Sequence, residues 1–348
     1  MSVESFVHAM PKVELHVHLE GAIHKERLLI IAEQNEIAEA NKRFQSWVDL
    51  LDNPDYDHLT ELVTTTMTWL EHPDDLTHVT YELGVALAKQ NIRYAEVSVN
   101  PINFTEHGWT FDQFLSALND GRDRAERGWG VQMRWNLTVE RDQPRHADEI
   151  VRWASSATAQ NGGVVGVNLN GSERVQPVGQ FERAFRTAAK KHIPTAVHAG
   201  AQMGLEGIRE ALEHLEPARI IDGWGLAESP DVQEMLIENQ IALEISQKRA
   251  RSHGWVEADT EYPLRQLVDA GLTIILGSDM PTYYHSNLND EYLAAVQQGG
   301  LSVDELEAIA LNAVECSQQS PQDKAAMIDA FKQAYEQLRE EHLDEEVT

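Results

Sequence analysis

Residues 13–19 read VELHVHL, a β-rich run that predicts the first strand of a sheet. Seven further runs of this kind follow, and amphipathic helical patterns such as FERAFRTAAKKH (181–192) separate them. The further runs are IRYAEVSV (92–99), VQMRWNLTV (131–139), VVGVNLN (164–170), PTAVHAG (194–200), RIIDGWG (219–225), IALEIS (241–246) and LTIILGSD (272–279). Strands that alternate with helices predict a parallel sheet with right-handed crossovers.

The number of strand–helix units predicts an α/β fold of the (β/α)8 TIM-barrel type. A chain of 348 residues is within the usual range for one such barrel, so we expect a single domain over 1–348. Residues 24–90 predict a helical insertion after strand one, and residues 302–343 predict extra C-terminal helices. A doubly wound open sheet is the alternative, and the absence of G-x-G-x-x-G after the first strand disfavours it.

The charge balance narrows the range of partners. The chain has 57 acidic and 28 basic residues, a formal net charge of −29, which disfavours binding to nucleic acid or to anionic lipid. No apolar run is long enough to span a membrane, and the N-terminus lacks the pattern of a signal peptide. Cys316 is the single cysteine, so we expect a cytoplasmic protein without disulfides. The sequence leaves the oligomeric state open.

Four metal-competent side chains fall at or near the predicted strand ends. His16 and His18 are two residues apart, so both point to the same side of strand one. His198 follows in strand five and Asp279 closes strand eight, and all four therefore lie at the catalytic face of a barrel. One H-x-H pair alone is weak evidence, but the combination predicts one divalent metal. Imidazole and carboxylate ligands suit Zn2+ first, with Fe2+ and Mn2+ as alternatives.

Several longer motifs resemble a known family. They are MPKVELHVHLEGAI (10–23), VVGVNLNGSE (164–173), AVHAG (196–200) and ILGSDMPTYYHSNLNDEY (275–292), which are similar to segments of the adenosine and adenine deaminases of the amidohydrolase superfamily. The resemblance implies a metal-dependent hydrolase with metal ligation by His16, His18, His198 and Asp279. It also implies that Gly171 contacts the substrate ring, that Glu20 is a substrate-side carboxylate, and that Asp279 can take a proton from water.

Three positions depart from the family pattern. The family reads H-A-G-E after strand five, and its glutamate is thought to protonate the purine; this chain has Ala201 instead. Asp222 replaces a histidine after strand six, and Met280 replaces the second of two aspartates after strand eight. Asp222 can serve in catalysis by orienting water, or it can simply turn the chain. We therefore expect deamination or related C–N hydrolysis of a purine-like or other nitrogen-containing molecule, with adenosine itself a doubtful substrate.

The loop after strand seven adds a separate expectation about the substrate. Lys248, Arg249 and Arg251 concentrate positive charge there, and Arg249 or Arg251 can bind an anionic group of a small molecule. The alternative is a solvated loop. Gln202 is a further substrate-binding candidate. Four aromatic residues follow predicted strands and can either line the pocket or pack loops onto the barrel rim, namely Trp224, Trp255, Tyr283 and Tyr284. Two functional alternatives also stay open, namely a catalytically silent metal-binding barrel with an interaction role and a barrel enzyme with a phosphate site and no metal.

Overall fold

The computed structural model describes residues 2–40, 42–256 and 263–343. Over these residues, eight parallel strands follow each other in the order β1 to β8, so that each pairs with its sequence neighbour. The strands are β1 (Lys12–His18), β2 (Ile92–Val99), β3 (Gln132–Glu140), β4 (Val164–Asn170), β5 (Thr195–Ala199), β6 (Arg219–Asp222), β7 (Ala242–Ile245) and β8 (Ile274–Leu276). The predicted (β/α)8 barrel is confirmed, because a doubly wound sheet would reverse its strand order.

The barrel closes through Asp279, which lies just beyond β8. The backbone N–H of Asp279 donates to the His16 carbonyl at 2.8 Å, and the His18 N–H donates to the Asp279 carbonyl at 2.8 Å. This bridge joins the first and last strands, although β8 itself ends three residues earlier than the predicted run. The chain segment that completes the barrel therefore also fixes the position of the Asp279 side chain.

Strained backbone occurs at two of the predicted site carboxylates. Asp222 has φ +88° and Asp279 has φ +57°, in the left-handed region that side chains other than glycine seldom adopt. Asp222 ends β6, and Gly223 continues the left-handed turn with φ +51°, so the strand is shorter than the predicted run to residue 225. Such conformations cost about 1–3 kcal/mol each and often accompany functional sites.

The described helices follow the strands as the sequence predicts. Before β2 they are α1 (Val3–Ala9), α2 (Leu19–Ala22), α3 (Lys25–Gln34), α4 (Ile37–Ala40), α5 (Phe44–Asp52), α6 (Leu59–Met67) and α7 (Pro73–Lys89). Between β2 and β5 they are α8 (Ile102–Thr105), α9 (Phe111–Trp129), α10 (Ala147–Ala154), α11 (Ala157–Asn161) and α12 (Glu182–Lys190). After β5 they are α13 (Gly204–Leu215), α14 (Pro230–Glu238), α15 (Gln247–Ser252), α16 (Leu264–Asp269), α17 (Pro281–Tyr284), α18 (Leu288–Gln297), α19 (Val303–Cys316) and α20 (Pro321–His342).

The additions to the barrel lie where the sequence predicts them. Helices α3 to α7 form the insertion between β1 and β2, and Tyr56, Leu59 and Thr60 from this insertion line the cleft at the barrel mouth. Helix α19 packs against β8 and β1, and α20 packs against α19 and α1. The first C-terminal helix thus covers the barrel itself. Among the described helices, none has both the length and the apolar character required to cross a bilayer.

Candidate active site

The structure brings the four predicted metal ligands together. His16 and His18 project from β1, His198 from β5, and Asp279 from the bridge after β8. One ligand atom from each residue lies within 4.8 Å of all the others. Each side chain is 2% exposed, so the four residues are buried at the bottom of the barrel mouth. We call His16, His18, His198 and Asp279 the metal group. This separation and donor set match the needs of a single divalent cation.

Unpartnered polar atoms support a cation at this position. Nε2 of His18 and Nε2 of His198 are buried and have no hydrogen-bond partner. Nε2 of His16 lies 3.2 Å from Oδ2 of Asp279, which is also 3.1 Å from Nη1 of Arg249. Burying a polar atom without a partner is costly. A cation between the four residues would satisfy the two unpartnered nitrogens and would bind the His16 nitrogen and the Asp279 carboxylate as well. The residues present therefore fit the divalent metal that the sequence predicts.

The protonation of the histidines is also suited to metal binding. Burial lowers the pKa of His18 to about 3 and lowers the pKa of His198 well below its ordinary value, so both rings are neutral. Burial opposes the charged form of His16 as well, but Asp279 and Glu244 outweigh it and raise the pKa of His16 to about 10. Without a metal, the carboxylates thus hold a proton on His16, and a metal would replace that positive charge.

A buried carboxylate orients His16 from below. Nδ1 of His16 lies 3.2 Å from Oε2 of Glu244 on β7, which leaves Nε2 directed at the metal position. Arg219 on β6 pairs with Glu244 through Nε at 2.9 Å and with Glu96 on β2 through Nη1 at 3.0 Å. These groups form an ion-paired chain inside the barrel, which we call the interior support; it consists of Glu244, Arg219 and Glu96.

A second carboxylate orients His198 from the mouth. Oδ2 of Asp222 lies 3.2 Å from Nδ1 of His198. Nη1 of Arg249 on α15 lies 3.1 Å from each Asp222 carboxylate oxygen and 3.1 Å from Oδ2 of Asp279. The guanidinium also stacks 5.0 Å above the Trp255 ring. We call Asp222 and Arg249 the mouth support; the contacts of Asp222 go beyond those of a residue that only turns the chain.

Above the metal group lies a cleft of about 150 Å³ that contains most of the predicted substrate residues. Its lining includes Gly171, Gln202 and Arg249, together with Asp222 and Asp279. The cleft is also lined by Ala201 and Met280, two of the positions that depart from the family pattern. Of the four aromatic candidates, Trp255 and Tyr284 line the cleft, whereas Trp224 and Tyr283 are buried and are not among its described lining residues. Glu20 lines a smaller adjoining cavity, and it is 4% exposed.

The predicted cationic loop is only partly in the cleft. Arg249 is 9% exposed, and the carboxylates of Asp222 and Asp279 compensate its charge. Among the described residues that line the two cavities, Arg251 and Lys248 do not occur; on α15, Arg251 is half-buried and Lys248 is exposed. This arrangement does not favour Arg249 as the receptor of an anionic substrate, because its charge is already neutralised at short range.

Several lining residues were not singled out from the sequence. Glu173 accepts hydrogen bonds from the backbone N–H groups of Gly200 and Gln202 at 2.8 and 2.7 Å, and it thereby holds the loop that carries Ala201. Glu140 and Asn170 lie at the C-terminal ends of β3 and β4 and hydrogen-bond to each other at 3.0 Å. Their position at strand ends was the signal that could have identified them.

Known proteins share this architecture. The family model described as adenosine deaminase matches residues 11–334. An aminodeoxyfutalosine deaminase from Streptomyces avermitilis is 29% identical over 337 residues, which cover 96% of this chain and 94% of the relative. An adenosine deaminase from Enterococcus faecalis is 29% identical over 338 residues, with 95% and 99% of the two chains covered.

Solved structures agree with these relatives. The adenine deaminase from Arthrobacter aurescens matches with a TM-score of 0.83 and 26% identity, over 93% of this chain and 99% of that one. An amidohydrolase from Burkholderia ambifaria with bound Zn matches with a TM-score of 0.87 and 24% identity over 97% and 93%, and shows the shared fold. The chain therefore belongs to the adenosine deaminase family, and it is a metal-dependent hydrolase of the deaminase type.

Proposed function

We propose that the protein hydrolyses an exocyclic C–N bond of a purine-like or related nitrogen heterocycle and releases ammonia or an amine. The observation that carries the proposal is the set of four buried ligand atoms within 4.8 Å of one another at the base of the cleft, two of which, on His18 and His198, have no hydrogen-bond partner. His16, His18, His198 and Asp279 would hold a divalent metal, with Zn2+ the first choice. A metal held there would supply activation of water as a nucleophile near neutral pH.

The chain's own residues position the reacting groups. Gly171 has φ +96° and exposes its backbone at the cleft, so a flat ring can approach closely. Asp222 keeps His198 in the metal-binding orientation, and the adjacent positive charge of Arg249 holds the pKa of Asp279 well below its ordinary range against the effect of burial. The ionised Asp279 can accept a proton from water at the site.

Adenosine and adenine should be poor substrates. Ala201 has no acidic group, so the position that protonates the purine in the family cannot do so in this chain, and Met280 cannot hydrogen-bond to the imidazole edge. A positioned acid contributes typically about 10²- to 10⁴-fold to the rate. A suitable substrate would therefore be one whose ring does not need to be protonated by an acid at position 201.

The test uses metal-loaded protein and a panel of amino-substituted purines and related heterocycles, with ammonia release as the readout. We expect turnover of at least one member, turnover of adenosine below about 1 s⁻¹, and loss of both metal and activity in His198→Ala. The exposed His78→Ala on α7 is the matched control and should retain both. Metal content is measured by elemental analysis.

The A201E variant adds a gain-of-function arm. Restoring a carboxyl at the cleft should raise adenosine turnover by about 10²-fold or more if the rest of the site is intact. Rapid turnover of adenosine by the unaltered protein would contradict the importance of Ala201. Release of neither ammonia nor amine across the whole panel, with a full complement of metal, would overturn the proposed reaction.

A further inference from the structure

The first strand of the barrel does not pair regularly with the second. Glu14 lies opposite Ala95 and Val17 lies opposite Val97, so β1 advances by three residues where β2 advances by two. An extra residue of this kind is a β-bulge, which bends the strand and changes the direction of the side chains beyond it. The bulge lies between Glu14 and Val17, in the segment that contains the predicted ligand His16.

The bulge decides which side chains of β1 face the inside of the barrel. In a regular strand Glu14, His16 and His18 would share one face, because they are two residues apart. The β2 partners of Glu14 and Val17 are themselves two residues apart, so Glu14 and Val17 share a face instead. His18 follows Val17 and therefore points to the opposite face, where the metal group lies. Glu14 thus lies on the outer face of the barrel wall.

The Glu14 carboxylate joins two segments of the barrel wall. Its Oε1 accepts a hydrogen bond from the backbone N–H of His16 at 2.9 Å. Its Oε2 accepts the backbone N–H of Ser278 at 3.2 Å and the Ser278 hydroxyl at 2.8 Å. The side chain is buried. One oxygen therefore holds the bulge of β1, and the other holds the segment that follows β8.

Both of these segments carry a predicted ligand of the metal group. His16 is one of them, and Ser278 directly precedes Asp279, which is another. Nε2 of His16 lies 3.2 Å from Oδ2 of Asp279 on the inner face. Because a single carboxylate binds the backbone at or beside both residues, a change in its hydrogen bonds would shift the two ligand atoms relative to each other.

The two segments also approach each other closely. A Cβ added to Gly277 would lie 2.7 Å from Cβ of His16 and 3.1 Å from the His16 carbonyl oxygen, so glycine is needed for this approach. The same Cβ would lie 3.4 Å from Oε1 of Glu14. The carboxylate is therefore located where β1 and the segment after β8 come together, and a small change there would be transmitted to both.

A carboxylate is a costly choice for filling a barrel wall. Burial of the group is unfavourable unless donors compensate it, and Glu14 meets this requirement through the donors of His16 and Ser278. Glu244 already orients the His16 ring through Nδ1 from the inner face. Glu14 binds the backbone of the same residue from the outer face, so the two carboxylates constrain different degrees of freedom of His16.

We propose that Glu14 is a positioning residue for the metal group and holds His16 and Asp279 at the separation that a divalent cation needs. It acts through the bulge of β1 and through Ser278. The proposal rests on the proposed function, since it takes His16 and Asp279 as metal ligands. Among the described residues that line the main cleft and the adjoining cavity, Glu14 does not occur, so it acts on the metal group without contact with a substrate.

The test compares metal binding by the unaltered protein and by E14Q. Glutamine keeps the shape of the side chain, but its amide group places N–H donors against a backbone N–H that needs an acceptor. We expect the metal affinity to fall by about 10- to 100-fold, as for other residues that orient ligands. Competition with a chelator measures the affinity, and urea unfolding of the metal-free protein shows whether E14Q is folded.

A spectroscopic readout separates positioning from stability. The visible absorption of bound Co2+ depends on the geometry of its ligands, so we expect E14Q to change the spectrum at saturating Co2+. A residue that only stabilises the barrel would leave the spectrum of the fully loaded protein unchanged. S278A removes only the hydroxyl donor, and it should lower the metal affinity by about two- to tenfold, the range of a single hydrogen bond.

D75N on α7 is the matched control. Asp75 is a buried carboxylate, and its Oδ2 accepts the backbone N–H of His72 at 3.0 Å and the Asn35 amide at 2.9 Å. The change from acid to amide is the same as in E14Q, but it lies in the insertion after β1 and not beside a predicted ligand. D75N should lower the free energy of unfolding and leave the metal affinity and the Co2+ spectrum unchanged.

The outcomes separate this proposal from the proposed function. Unchanged affinity and spectrum in E14Q, with a loss of stability like that of D75N, would overturn the role of Glu14, and S278A decides in the same way if E14Q does not fold. Equal metal binding by His198→Ala would overturn the ligand set, and this proposal with it. Altered affinity and spectrum in E14Q without ammonia release from any panel member would support the positioning role and reject the proposed reaction.

Discussion

Two carboxylates orient two of the three histidines of the metal group, and the two carboxylates differ in the arginine that pairs with them. Glu244 and Asp222 each lie 3.2 Å from Nδ1 of a ligand histidine, and each is paired with an arginine. In the interior support, Arg219 also forms an ion pair with Glu96, which does not line the cleft. In the mouth support, Arg249 instead pairs with Asp279, a predicted ligand, and lines the cleft.

The same arrangement, a carboxylate between a histidine and an arginine, can thus contribute to stability inside the barrel and to catalysis at its mouth. The interior support is buried among the strands, and a broken ion pair there leaves a charge with no access to water. The mouth support lines the cleft, and a bound metal would take over part of the charge compensation that Arg249 provides for Asp279. We therefore expect the interior pair to govern folding and the mouth pair to govern turnover.

The largest difference should appear when each arginine is replaced. R219M removes the buried guanidinium that compensates the charges of Glu244 and Glu96, and should lower the free energy of unfolding by about 3–5 kcal/mol. R249M should cost less stability in the metal-loaded protein and should reduce kcat/KM by about tenfold or more, because it removes positive charge beside Asp279. Urea unfolding and ammonia release with the best panel substrate measure the two effects.

The control for both arginines is R152M, because Arg152 is 71% exposed on α10. It should change neither quantity appreciably, since exposed ion pairs contribute little. Equal losses of stability in R219M and R249M would show that both supports are structural, and the comparison would then fail.

A smaller effect should follow when the carboxylates are replaced. E244Q and D222N each weaken the partner that orients a ligand histidine, and outer partners of this kind typically change metal affinity by about 10- to 100-fold. We expect a similar loss of affinity in both variants, and an additional loss of kcat at saturating metal in D222N alone. Competition with a metal chelator gives the affinities, and unaffected affinity in E244Q would show that the amide orients His16 equally well.

The smallest expected effect is the release of a proton from His16 when a metal binds. The pKa of His16 is raised to about 10 by Asp279 and Glu244 against burial, whereas His18 with a pKa of about 3 is already neutral. At pH 6, metal binding should therefore release about one proton, from His16. Calorimetry in buffers of different ionisation enthalpy measures this number, and E244Q should lower it.

The raised pKa of His16 also predicts how the stability of the metal-free protein depends on pH. The folded-state pKa of His16 lies above its ordinary value of 6.5, so the proton contributes stability that is fully present below about pH 6.5. That contribution is lost as the pH rises toward 10. The measurement compares the unfolding free energy of the metal-free protein with that of its His16→Gln variant between about pH 6.5 and 10. If both proteins show the same dependence on pH, the raised pKa does not belong to His16.

The sequence by itself determined the barrel and the metal group. Strand runs with the right spacing fix a parallel sheet, and a parallel barrel brings the C-terminal ends of all strands to one face. His16, His18, His198 and Asp279 could therefore be grouped without knowledge of any contact, because their relative positions follow from strand periodicity and closure alone. The family resemblance pointed to the same residues independently.

Only the tertiary structure decided how the surrounding charges are paired. Arg249 was expected to receive an anion, yet the helix after β7 turns it toward Asp222 and Asp279, a contact between side chains that are far apart in sequence. Likewise, the Asn170 amide donates to only one of the two carboxylate oxygens of Glu140, a pairing between the ends of two neighbouring strands. Such pairings depend on distances of a few ångströms between loops, and local sequence patterns contain no information on those distances.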